Sequence, residues 1–154
     1  MPIELDRIDR AILAAVQSEG RIQNLDLAAR VGLSPSPCLR RLKRLEDAGV
    51  VRRYVALLDA DKIGIGLSVY ARIALVAQDA ATVENFAQAM NALPQVVECH
   101  IMAGECDALL RVVASDLNGY RNFQITHLTR ENGVQSVKTD VPIQTVKSST
   151  DLPV

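Results

Sequence analysis

Near Gly49 the spacing of apolar residues switches from a helical period to alternation. One regular layer cannot serve both patterns, so the switch divides the chain into a helical front and a mixed back. In LDRIDRAILAAVQSEG, Leu5, Ile8, Ile12, Leu13 and Val16 recur at helical intervals, Asp6 offers a cap, and Gly20 closes the segment. NLDLAARVG predicts a second helix with Asn24 as cap, Leu25, Ala28 and Ala29 inward, and Gly32 as terminator. SPSPCLRRLKRLEDAGVV, from Ser34 to Val51, is the third. The short GLS turn between the last two makes a helix-turn-helix unit.

Beyond Gly49, VVRRYVALLD is β-branched and partly alternating and is predicted as a strand. ADKIGIGLS, with two glycines, is predicted as a linker. LSVYARIALVA then reads as a strand and ATVENFAQAMNAL as a helix stopped before Pro94. VVECHIMAG and DALLRVVAS are strands joined by a tight loop at Gly104 to Cys106. LNGYRNFQITHLTREN is a helix ended by Asn132-Gly133, and VQSVKTDVPIQTVK a last strand. The order βαββαβ is ferredoxin-like, making the chain α+β. The predicted division is 1–53, the helix-turn-helix unit; 54–66, a connecting strand and linker; and 67–154, the ferredoxin-like domain. Helices on one face of the sheet leave the other needing cover, and a second copy of the chain is the expected cover.

Charge separates the same two parts. Residues 1–53 carry 10 Lys and Arg against 7 Asp and Glu, and residues 54–154 carry 7 against 11. A basic front suggests a polyanionic partner. With two Phe, three Tyr and no Trp, stacking platforms for single strands are not expected. Three unpaired-looking cysteines argue for a reducing compartment. No long apolar run suits a bilayer, and MPIELDRIDR does not resemble a secretory signal, so a soluble cytoplasmic location is expected.

The third helix concentrates four cations in the five positions Arg40 to Arg44. Proline in a first helical turn removes no bonded N–H, so Pro35 or Pro37 can open the helix, with Ser34 or Ser36 as cap. Cys38, Leu42 and Leu45 form an inward stripe with Leu39 beside it. Pro37, Arg40, Arg41 and Arg44 recur on another face at spacings of three, four and seven. An isolated RRLKR is usually a solvated face. On the helix after a helix-turn, with Arg52 and Arg53 placed to edge a wing, it predicts a recognition helix for double-stranded DNA. Ser34, Ser36, Pro37, Arg40, Arg41 and Arg44 are the candidate DNA-binding residues.

LDRIDRAIL, GRIQNLDLAARVGLSPSPCLRRLKRLEDAGVV and YVALLD resemble the winged helix-turn-helix of the Lrp/AsnC (feast/famine) transcription regulators. ECHIMAGECDALLRVVASDLNGY is similar to the strand, Gly-acidic-x-Asp loop and strand of their C-terminal effector-binding domain, the RAM domain. The resemblance covers essentially the whole chain. It implies an amino-acid effector bound at interfaces between dimers, and assembly beyond the dimer toward an octamer. It also implies ligand roles for Gly104 and Asp107, with Thr129 as a further polar group.

The residues themselves allow two readings of that loop. Gly104 can bring backbone N–H groups close to a carboxylate, while Glu105 and Asp107 can accept from an ammonium group. Equally, it can be a plain hairpin turn with solvated acids. Met102 and Ala103 would supply apolar lining. Cys106 is smaller than the residue often found there in the family, and an aliphatic or sulfur-containing effector is the expectation. Adjacent strand residues face opposite ways, so Cys99 and His100 do not suggest a metal site, and His127 is expected at the surface or an interface. No catalytic set, phosphate cradle or cofactor motif is evident, so neither an enzyme nor a cofactor is expected. An enzyme on a ferredoxin-like dimer, or a DNA-compacting protein without effector, remain the alternatives.

Overall fold

A computed structural model describes residues 3–154. The chain divides into two compact units, one of residues up to Leu57 with Lys147–Val154, the other Leu58–Val146.

The first unit holds three helices, α1 (Arg7–Ser18), α2 (Asn24–Val31) and α3 (Pro35–Asp47). α1 begins at Asp6, whose carboxylate accepts from Asp9 N–H while the Asp9 carboxylate accepts from Asp6 N–H, a reciprocal capping box. Gly32 ends α2 at φ +71°, a conformation that costs glycine little. Ser34 is the N-cap of α3 and Pro35 its first residue, which resolves the two openings the sequence left. Asn24, expected as a cap, is instead the first residue of α2, and its Nδ2 donates to the Pro35 carbonyl at 2.9 Å. The core is Ile12, Leu13, Val16, Leu27, Ala28, Cys38 and Leu45. Leu25 and Ala29, expected inward, are exposed, and Leu27 is buried beside Ala28 instead.

Residues 50–59 differ from expectation: they form no strand. An extended segment needs a neighbouring strand to take its N–H and C=O groups, and the described chain offers none. Tyr54, Val55, Leu57 and Leu58 are exposed there. A single 3₁₀ turn, Asp61–Ile63, occupies the linker.

The second unit is β1 (Leu67–Leu75), α4 (Ala80–Asn91), β2 (Val96–Ile101), β3 (Ala108–Ala114), α5 (Leu117–His127) and β4 (Val134–Asp140). The strands form an antiparallel sheet in the order β2-β3-β1-β4, the ferredoxin-like arrangement. Val69, Ala71, Ile73 and Leu75 of β1 alternate into one face with Ala108, Leu110 and Val112 of β3. There they pack with Phe86 and Met90 of α4 and Tyr120 and Phe123 of α5. Asp79 and Asp116 cap the two helices. Several elements are shorter than predicted, α5 and β4 by the most. α5 ends at His127, with a separate 3₁₀ turn Arg130–Asn132 before Gly133. β4 ends at Asp140, before Pro142, which has no N–H for the ladder.

The sheet's second face is not plainly apolar. Tyr70, Arg72, Leu109 and Arg111 lie on it, with Arg72 Nη2 donating to Asp140 Oδ1 and Arg111 Nε to Glu98 Oε1, both at 2.9 Å. Lys147–Val154, read from sequence as part of the C-terminal domain, groups with the helical unit, where Gln17 of α1 holds Leu152.

Candidate nucleic-acid interface and effector site

α3 was expected to present Arg40, Arg41 and Arg44 together, and the structure separates them. Arg40 is exposed, and among the described residues neither it nor Lys43, Arg52 or Arg53 is in an ion pair. Arg41 turns back onto α1. Its Nη1 donates to Asp6 Oδ2 at 2.6 Å and to Asp9 Oδ1 at 2.9 Å. Arg44 Nη2 donates to Asp9 Oδ2 at 2.5 Å, although half its side chain remains open to solvent. Asp9 itself is only 1% exposed.

The arrangement has an electrostatic reason. Asp9 sits four residues after Leu5 and three before Ile12, within the apolar stripe of α1. A carboxylate buried there needs donors from a neighbouring helix. Arg41 is three after Cys38 and four before Leu45, so it lies at the margin of the buried stripe of α3 and meets Asp9. Hydrogen bonds from Asp9 N–H and then from Arg41 hold the Asp6 carboxyl below its ordinary value, and bonding to Asp6 and then Asp9 raises Arg41. The two spacings make this clamp readable in the sequence. Asp9 and Lys43 were missed because the arginines were considered only against the outward face.

Outward on α3 are Ser36, Leu39, Arg40 and Lys43, at offsets of three, four and seven, followed by Asp47 one turn on, with Arg44 half open at their edge. Ser34 and Ser36 are exposed and Pro37 half-buried. Ser34 makes no side-chain cap bond. Arg40, Lys43 and Arg44 border a shallow depression on this side.

In the second unit, the six expected effector residues lie at one end of the sheet. Met102, Ala103, Gly104 and Glu105 are exposed in the β2–β3 loop, and Asp107 is half-buried. Asp107 is more committed than expected: Oδ2 accepts from Leu75 N–H at 2.8 Å and Oδ1 from Gln78 Nε2 at 2.7 Å. Its own N–H donates to the Ile73 carbonyl, so the loop is fastened to the end of β1. Thr129 is tied to the same end, because its carbonyl accepts from Val134 N–H and Val134 pairs with Leu75. Gln78 is a polar neighbour that the sequence reading missed; only its place just after β1 marks it. A cleft of about 340 Å³, bordered by Gln95, Ser115, Asn122 and His127, lies at the opposite end of β3 and includes none of the six.

Cys99 is in register with Leu110 and His100 with Leu109, on opposite faces. Burial raises the thiols of Cys99 and Cys38. Among the described residues, no group of three or more His, Cys, Asp and Glu could hold a metal ion, and no helix is long and apolar enough to cross a membrane.

Comparison with known proteins accounts for both units. Residues 5–52 match a winged helix-turn-helix DNA-binding family, and residues 68–152 match the Lrp/AsnC ligand binding domain. The transcriptional regulator AzlB of Bacillus subtilis is 37% identical over 154 residues, covering 100% of this chain and 98% of that protein. The leucine-responsive regulatory protein of Rhizobium meliloti is 42% identical over 147 residues, covering 96% and 94%. A Neisseria meningitidis transcriptional regulator, solved as its L-Met complex, superposes with a TM-score of 0.93 at 39% identity over 97% of each chain. An AsnC family regulator from Agrobacterium tumefaciens gives 0.91 at 35%, again over 97% of each. A helix-turn-helix with an outward basic helix, followed by a ferredoxin-like ligand-binding domain, identifies this chain as a member of the Lrp/AsnC family of transcriptional regulators.

Proposed function

We propose that the chain binds double-stranded DNA through the outward side of α3 and that an amino acid bound at the Gly104–Asp107 end of the sheet modulates that binding. The observation that carries the DNA reading is the division of labour on α3. Arg41 and Arg44 hold the helix against α1 through Asp9, while Arg40 and Lys43 face outward with no ion pair among the described residues. Ser34 and Ser36 bring hydroxyls to the first turn, where helix N–H groups also favour phosphate. Pro37 sets the backbone of that turn. Arg44 keeps donors open to solvent and can share them with a phosphate, whereas Arg41 acts by positioning.

For the effector, exposed backbone at Gly104 suits a carboxylate, and Glu105 with Asp107 suits an ammonium group. Met102 and Ala103 supply apolar contact, and Thr129 a polar one. The Neisseria relative's complex with L-Met supports an aliphatic or sulfur-containing amino acid. The chain acts in the cytoplasm as a regulator rather than an enzyme. Its copies pair across the open sheet face and assemble further, toward an octamer.

Binding-site selection from a random duplex pool, followed by gel shifts with each amino acid, tests this. Arg40→Ala should weaken binding and lower the salt slope by about one if the contact is to phosphate. A chain that retains no duplex at any salt concentration would overturn the reading.

A further inference from the structure

We propose that Leu39 determines part of the operator sequence by packing on the C5-methyl group of a thymine in the major groove. The assignment rests on α3 being the DNA-reading helix and goes beyond it by naming the group read. The other leucines of α3 face the core: Leu45 is fully buried and Leu42 packs against the same cluster. Leu39 is 53% exposed. It lies in the N-terminal half of the helix, one turn after Ser36, beside Arg40 and one turn before Lys43.

An exposed leucine gains by being covered, and its surroundings choose the cover. Ser36, Arg40 and Lys43 make the patch basic and polar, which disfavours another apolar protein surface and favours a polyanion. On the base edges of the major groove, the apolar group of a standard duplex is the thymine methyl. The first turns of a recognition helix are the part that reaches base edges, so Leu39 is placed to meet it as Arg40 meets a base or a phosphate. A polar residue there would gain nothing from a methyl; leucine gains in proportion to the apolar area covered.

The test uses the full chain and a duplex selected with it from a random pool. Each thymine is replaced in turn by uracil, which pairs in the same way and lacks only the methyl. At one position in each half-site, uracil should weaken wild-type binding about three- to tenfold. Leu39→Ala, which alters an exposed side chain, should bind the thymine and uracil duplexes equally at that position while melting like wild type. A flat uracil scan, or a Leu39→Ala chain that keeps the wild-type preference for thymine, overturns the proposal. Those results would leave DNA binding by α3 standing if Arg40→Ala still weakens it. Failure to retain any duplex would instead remove the reading beneath it.

Discussion

Arg44 Nη2 lies 2.5 Å from Asp9 Oδ2, joining a half-exposed guanidinium on α3 to a carboxylate on α1 that is 1% exposed. With Arg41 on the other oxygen, the pair fixes the orientation of α3 on the bundle. Two of the three arginines expected to read DNA therefore serve first to hold their own helix in place.

Asp9→Ala removes the acceptor of Arg44, one of the two acceptors of Arg41 and half of the α1 capping box. The expected loss is about 2–3 kcal/mol of stability in the helical unit, since a paired buried charge network is being opened. Denaturant unfolding followed through the α1–α3 amides measures it. Arg40→Ala should leave the same transition unchanged and weaken only DNA binding. An Asp9→Ala chain as stable as wild type would show that the clamp contributes nothing.

Much of this was legible in the sequence. The period switch near Gly49, the Asp6 cap of α1 and the glycines that end helices and turns mark a helical unit and the βαββαβ order, because these elements follow local pattern. The clamp was legible too, in Asp9 among the apolar positions of α1 and Arg41 between Cys38 and Leu45, but only when two helices are considered together. The segment Val50–Asp59 shows the opposite case. Its composition is that of a strand, yet a strand is a pairing, and local composition cannot supply the partner. The commitment of Asp107 to Leu75 N–H is likewise invisible locally, since the two are 32 residues apart.

Asp107 has a structural role and a proposed ligand role, and substitution can separate them. Asp107→Ala leaves Leu75 N–H and Gln78 without their acceptor, loosening the β1 end as well as the β2–β3 loop. Asp107→Asn keeps one carbonyl acceptor and loses the charge proposed to attract an ammonium group. Wild type should show a rise in melting temperature with its amino-acid effector, growing with concentration. Asp107→Asn should melt near wild type without ligand and show little of that rise. An undiminished ligand shift in the Asn variant would exclude the carboxylate from the effector site.

Tyr54 gives the helical unit an alkaline signature. Its hydroxyl donates to Glu46 Oε1 at 2.7 Å, and partial burial, followed by the Glu46 bond and charge, pushes the phenol up to about 12. A folded-state value above the ordinary 10 means that folding favours the neutral phenol. That stabilisation is fully present below pH 10 and is lost as pH rises through about 12. The melting difference between wild type and Tyr54→Phe should therefore be constant at neutral pH and shrink across that alkaline window. A difference independent of pH up to 12 would show that Tyr54 does not sense the carboxylate.

Gln17 holds the C-terminal segment by both main-chain polar groups of one residue, Leu152. Its Nε2 donates to the Leu152 carbonyl at 3.0 Å, and its Oε1 accepts from Leu152 N–H at 2.7 Å. The side chains of this tail are exposed, Leu152 itself at 71%, so little apolar burial holds it and the amide contact carries a large share of the attachment. Each bond at such an open site is worth on the order of 1 kcal/mol or less, enough to shift the attached fraction severalfold. Gln17→Ala should expose residues 147–154 to carboxypeptidase severalfold faster while the three-helix core keeps its melting behaviour. Gln17→Glu is the sharper variant. Its carboxylate can still accept from Leu152 N–H but cannot donate to the carbonyl, so trimming should fall between Gln17→Ala and wild type. Equal trimming of all three chains would mean that this contact does not hold the tail.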